Sequence, residues 1–205
     1  MHKIKPSNSA LILIGYQNDY FSEDGILRKV IEESDISNNA LQNSLAFIRS
    51  QLDTGLLMIH TPIVFTKDYS ELVEPVGILA AIKQFKAFQA GEIGCKTIPE
   101  IKQFDTRIQE IPGKRGLNAF SNTDLEKTLN EKGIRNIILA GAVTSICIDS
   151  TGRAAFEHGY NVIVLEDCTC GRTNTEQDFF CKEIFPLYAT VMNIQELGKA
   201  LKANI

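Results

Sequence analysis

The sequence predicts an α/β fold: a doubly wound, six-stranded parallel sheet with helices on both faces. Three observations predict it. Short apolar runs of strand length recur along the chain, and they are continuous rather than alternating, as strands buried on both faces require. Between them lie stretches with apolar residues at helical spacing, opened by capping residues and closed by glycine. No Pro/Ser-rich linker interrupts the 205 residues, so a single domain over residues 1–205 is expected.

Residues 10–14 (ALILI) form the first run. Residues 38–53 place Leu41, Leu45, Ile48 and Leu52 on one helical face, and Gly55 ends that helix. Residues 56–60 and 107–111 read as the second and third strands. Thr123-x-x-Glu126 reads as a capping box that opens a helix stopping at Gly133. Residues 136–140 (NIILA) are the fourth strand, and the helix beyond it carries Ile148, Thr151 and Ala155. Residues 161–165 are the fifth. Thr173-x-x-Glu176 caps a helix that must end before Pro186, since proline lacks the N–H a helix needs. Residues 187–192 complete the sheet and residues 195–201 the last helix. In such sheets the active site lies at the carboxyl ends of the strands.

Composition narrows the function classes. A net charge of -4 supplies no basic patch for nucleic acid or an anionic membrane. No apolar run approaches the ~20 residues of a membrane span, and the first residues do not lead into a signal-peptide pattern. Five cysteines, an odd number, argue against a complete disulfide framework and for a reducing cytoplasm. The Cys168-Thr169-Cys170 pair lacks the spacing of structural zinc sites, and only three histidines occur, so no metal is expected. G-x-G-x-x-G is absent after the first strand, and residues 91–97 (GEIGCKT) miss the P-loop spacing. Neither NAD nor ATP has a signature, and no cofactor is expected.

The most informative stretch is residues 141–149, GAVTSICID, in which a glycine-bounded turn carries Cys147 from the fourth strand into a helix. A thiol in a first helical turn faces unpaired backbone N–H groups and the positive helix end, which favour thiolate. The same strand–turn–helix aims backbone donors, here from Ala142, Val143 and Thr144, at whatever the sulfur attacks.

Together with residues 113–120 (GKRGLNAF) and the opening ALILIGYQNDYF, this stretch resembles the isochorismatase-like cysteine hydrolases, a Rossmann-like three-layer fold. The resemblance covers nearly the whole chain and points to a poorly characterised branch. It implies that Lys114 and Cys147 are two members of a catalytic triad, and that the peptide bond between Ala142 and Val143 is cis. The third member, an aspartate or glutamate two residues before Gln17, is replaced here by Gly15. An acid at this position takes the thiol proton and returns it to the leaving group, a contribution of about 10²–10⁴-fold. Restoring it by Gly15→Asp or Gly15→Glu is therefore expected to raise turnover. Asp19 is the nearest carboxylate in sequence, serving the thiol through a water or fixing the loop. Gln17, Asn118 and Phe120 are candidate pocket residues, with loop fixation or core packing as the competing roles.

Two functions follow. One is hydrolysis of a small amide, carbamoyl or related C–N substrate through a Cys147 intermediate; vinyl-ether hydrolysis is a variant that leans on the acid Gly15 lacks. The other is a catalytically inactive small-molecule-binding or scaffolding domain. The resemblance also implies a symmetric homo-oligomer, for which residues 73–88, with Ile78, Leu79, Ile82 and Phe85, are the candidate contact, intramolecular packing being the alternative.

Overall fold

The computed structural model describes residues 3–203. Its strands are β1 (Ser9–Ile14), β2 (Leu57–Thr61), β3 (Ile108–Glu110), β4 (Asn136–Ala142), β5 (Asn161–Cys170) and β6 (Thr190–Met192). Its α-helices are α1 (Asn18–Phe21), α2 (Arg28–Asn38), α3 (Ala40–Ser50), α4 (Gly77–Phe85), α5 (Pro99–Lys102), α6 (Leu125–Glu131), α7 (Asp149–Glu157), α8 (Asn174–Phe179) and α9 (Ile194–Lys202). The six strands pair in the order β3-β2-β1-β4-β5-β6, all parallel, as predicted. None of the helices is long and apolar enough to cross a membrane.

Each central strand is buried on both faces. Along β1, Ala10, Ile12 and Ile14 face one core, with Ile31 of α2, Ile82 of α4, Leu125 and Leu129 of α6 and Ala155 of α7. Leu11 and Leu13 face the other, with Leu45 and Ile48 of α3, Ile101 of α5 and Leu197 and Leu201 of α9. The period-2 alternation of a strand thus serves two apolar layers, so the run contains no polar residue.

Local chemistry shifts several predicted boundaries. Asn39 takes φ +53 and separates α2 from α3, and α3 ends at Ser50, with Gln51 as its C-cap, rather than at Gly55. The Thr123–Glu126 box does not form: the Thr123 hydroxyl donates to Ala119 O (2.6 Å) and accepts from Leu125 N–H (3.3 Å), so the helix starts after Asp124. Thr173 caps α8 as predicted, accepting from Glu176 N–H at 3.1 Å. Beyond α8 the chain continues through a π-turn (Phe180–Ile184) and a 3-10 turn (Phe185–Leu187), leaving a shorter last strand. β5 runs to Cys170 because its register to β4 shifts between Leu139 and Gly141, which brings Thr169 opposite Gly141 and Cys170 opposite Ala142.

Strand order reverses direction between β1 and β4, and there the two carboxyl ends meet. Gly15 follows β1 with φ +77, and Gly141 lies within β4 with φ +121. A Cβ on Gly141 would fall onto the Ile14 carbonyl oxygen, so only glycine allows this approach. This switch point is where an open α/β sheet places its ligand.

His60 of β2 faces the other layer. It is 1% exposed; its Nδ1 lies 3.3 Å from the Thr97 hydroxyl, and its Nε2 has no partner among the described residues. Burial, reinforced by Lys102, lowers the imidazole from 6.5 to about 3. Because the folded state keeps it neutral, the stability it confers is complete above pH 6.5 and is lost as pH falls toward 3. At pH 5 the loss is about 2 kcal/mol. The urea midpoint of the wild type should accordingly drop more steeply between pH 7 and 5 than that of His60→Leu. Parallel curves would show that the imidazole is not held neutral.

Candidate active site

Cys147 enters the switch point on a turn wider than an α-helix. The peptide bond between Ala142 and Val143 is cis. Beyond it the Val143 carbonyl accepts from Ile146 N–H at 3.0 Å and from Ile148 N–H, five residues on, at 3.1 Å, so Thr144–Ile148 is a π-turn leading into α7. π-turns are frequent at functional sites because they free backbone groups from the regular ladder. Cys147 therefore sits in this π-turn, ahead of the α-helix proper.

Buried side chains fix that turn. The Thr144 hydroxyl donates to Gln177 Oε1 (2.5 Å), and Gln177 Nε2 donates to Thr169 Oγ1 (3.0 Å) and Glu166 O (3.0 Å). Ser145 donates to Glu176 Oε1 at 2.6 Å. Helix α8 thereby ties the turn to β5. Nothing in the spacing of Thr144 and Gln177 announces this pairing, since it spans two elements.

Lys114 comes from the loop after β3. Its backbone lies along residues 63 and 64, with Val64 N–H donating to Lys114 O at 3.4 Å. Its side chain is fully buried: Nζ donates to Cys147 Sγ at 3.5 Å and to the Gly116 carbonyl. Burial pushes the ammonium below the ordinary lysine range, and the charge of Cys147 pulls it back up. Amine and thiol thus share a desolvated space. Among the described residues no carboxylate hydrogen-bonds to either group. Burial raises the thiols of Cys95, Cys168 and Cys170 and pushes Cys181 up to about 12, which disfavours their thiolates.

The other sequence candidates divide. Asp19 is buried, but its Oδ2 accepts from Phe88 N–H at 2.5 Å and its carbonyl accepts from Leu27 N–H, so it fixes loops. Burial raises its carboxyl, while the N–H groups of Phe88 and Ile26 pull it down. Gln17 accepts from Ile63 N–H (2.8 Å) and donates to Ile63 O and Cys95 O (2.7 and 2.6 Å), the bonding of a loop clamp. Asn118 accepts from Phe120 N–H within its own loop. Phe120 packs on the His158 ring, centroids 5.1 Å apart, at the carboxyl end of α7. With a rise of about 1.5 Å per residue, the helix separates it from Cys147, so it does not line the thiol's surroundings.

A parallel sheet that buries a thiol and an amine together at its switch point is the arrangement expected of a small α/β hydrolase. The chain belongs to the isochorismatase family: the Isochorismatase domain matches residues 9–196. It is 28% identical over 182 residues, 81% of this chain and 72% of the relative, to the ureidoacrylate amidohydrolase RutB of Rhizobium rhizogenes. Among solved structures it superposes on a cysteine hydrolase from Pseudomonas syringae pv. phaseolicola 1448A with TM-score 0.84 at 18% identity, covering 99% of this chain and 96% of that one. An isochorismatase-like hydrolase from Alkaliphilus metalliredigens gives 0.76 at 25% identity, with 94% and 98% covered.

Proposed function

We propose that the protein hydrolyses a small amide, carbamoyl or related C–N substrate through a covalent intermediate on Cys147. The observation that carries this reading is the buried Lys114 Nζ at 3.5 Å from Cys147 Sγ, at the sheet's switch point. Lys114, as an amine, takes the thiol proton; the sulfur attacks the substrate carbonyl carbon, and backbone N–H groups of residues 142–144 hold the oxygen that becomes negative. The C–N bond breaks with its electron pair going to nitrogen, which leaves protonated, and water then cleaves the thioester. An amidohydrolase among the relatives fits this bond type. The chemistry calls for neither metal nor cofactor.

The same reading places the protein in the cytoplasm as a homo-oligomer. Within residues 73–88, Ile82 is buried and Ile78 and Leu79 pack on the core, so the contact narrows to the exposed Val73, Val76 and Phe85. One observation favours the second reading, a binding domain without turnover: among the described residues no carboxylate hydrogen-bonds to Cys147.

Intact-protein mass spectrometry after incubation with a panel of amides, carbamoyl compounds and an activated p-nitrophenyl ester separates the two. An acyl or carbamoyl adduct is expected on Cys147 and absent from Cys147→Ala. Compounds that bind, as seen by thermal shift, yet leave the mass unchanged would favour the second reading.

A further inference from the structure

Tyr20 occupies the ground that a side chain at position 15 would need. A Cβ built on Gly15 lies 3.4 Å from Tyr20 Cδ2 and 2.8 Å from the Ala142 carbonyl, so the tyrosine ring closes the β1 side of the turn carrying Cys147. The residue is 1% exposed. Tyr16, buried nearby in sequence, has its hydroxyl bonded to Ser44 Oγ (2.5 Å) and Cys168 O (3.3 Å). The Tyr20 hydroxyl makes no such bond among the described residues, so its proton is uncommitted.

The structure around the ring is held at a cost. Phe88 packs against it with centroids 5.2 Å apart and takes φ +55, a left-handed conformation that a bulky residue resists. The buried Asp19 holds Phe88 there through its N–H. A second hydroxyl on the same face also lacks a partner. Thr61 pairs in register with Ile14, the residue before Gly15, and its buried Oγ1 has no hydrogen bond among the described residues. Tyr20 and Cys147 belong to the same buried layer, and hydroxyls left without a protein partner there are what a polar substrate would satisfy.

We propose that Tyr20 is the acid–base residue of this site, its hydroxyl doing the work of the carboxylate that Gly15 excludes; the assignment rests on Cys147 being the nucleophile. As the C–N bond breaks, nitrogen takes the Tyr20 proton, leaving a phenolate opposite the Lys114 ammonium. Water then attacks the thioester carbonyl and gives its proton to the phenolate. The C–S bond breaks with its pair going to sulfur, which recovers the proton held by Lys114. Atoms and charges return to the starting state, with one water consumed. Burial foremost keeps Tyr20 protonated, and a negative sulfur at Cys147, present once Lys114 has taken the thiol proton, opposes a phenolate further. Acylation removes that charge from the sulfur, so the opposition to a phenolate falls at the step that needs one.

Tyr20→Phe tests this, since the ring and its contact with Phe88 remain. An amide's nitrogen must be protonated to leave, whereas p-nitrophenolate leaves without a proton. The expected result is a drop of roughly 10–100-fold in kcat for an amide with KM within about threefold. The p-nitrophenyl ester should keep its acylation burst rate while turnover after the burst slows, and the melting temperature should stay close to the wild type's. If amide turnover is unchanged, or burst and amide rates fall together, Tyr20 is not the acid–base residue. A wild type that gives no burst on Cys147 overturns the nucleophile instead, and the assignment with it.

Discussion

Lys114→Met should make the protein more stable and far less active. Lys114 is fully buried, its partners among the described residues are a thiol and a carbonyl, and burial pushes its ammonium below the lysine range. A buried ion of this kind carries an effective desolvation cost of several kcal/mol, which weak partners offset incompletely. Methionine keeps the unbranched stem and removes the charge, and the half-buried Gly116 carbonyl can turn to water. The gain should be about 1 kcal/mol or more, a rise of roughly 2–4 °C in melting temperature for a chain of this size. Its pH dependence has a definite sign. With the folded pKa depressed, the penalty is absent above 10.5 and grows as pH falls toward the folded value. The stability gap between the Lys114→Met variant and the wild type should therefore be widest near neutrality and close toward pH 10.5. Acylation of Cys147 should fall by about 10²–10⁴-fold, because among the described residues Lys114 is the side chain hydrogen-bonded to the sulfur. Stability up with activity down is the signature of a residue kept for chemistry against the interest of the fold. A variant that is less stable but equally active would assign Lys114 to packing.

The architecture was legible because its signals are local and repeated. Six short apolar runs, caps such as Thr173 and the glycine-bounded turn before Cys147 each reflect backbone needs of a few neighbouring residues. Cys147 was singled out by its glycine-bounded turn and Lys114 by family resemblance, and only the fold brings residues 33 positions apart to 3.5 Å. What stayed hidden depends on tertiary choice. The Thr123 hydroxyl had a capping position available and bonds Ala119 instead. β5 passes Glu166 and Asp167 in an irregularity before its pairing with β4 resumes at Thr169, and no strand pattern in those charged residues reports it. Gln17 and Asp19 sit in the motif beside Gly15, yet their polar atoms are spent on the loops at residues 63, 88 and 95. Tyr20, one residue further, carries no local pattern that separates it from a core aromatic; only its neighbours reveal a hydroxyl left over.

Gly15→Asp, the substitution that restores the family's acid on paper, is expected to destabilise the protein without raising its activity. Gly15 has φ +77, a conformation that costs a residue with a side chain about 1–3 kcal/mol. Its Cβ would also lie 2.8 Å from Ala142 O, a backbone atom of the turn itself, and beyond it the new carboxylate would meet the Tyr20 ring. A backbone oxygen cannot rotate aside as a flexible side chain can, so relief must come from moving β1 against β4, where their carboxyl ends define the site. A total loss of roughly 3 kcal/mol follows, lowering the melting temperature by about 6–12 °C. The carboxylate would arrive only by displacing the turn that aims Cys147, so amide hydrolysis should not exceed the wild-type rate. Gly15→Ala separates the two effects: it carries the φ and Cβ costs but no acid, and should lose nearly as much stability as Gly15→Asp. If Gly15→Asp instead folds with wild-type stability and hydrolyses the amide about 10²-fold faster, the strand end is pliable and the site lacks only its acid. The pairing of Gly15 with Tyr20 makes the opposite outcome the expected one, because the two ways of supplying a proton at this edge compete for the same space.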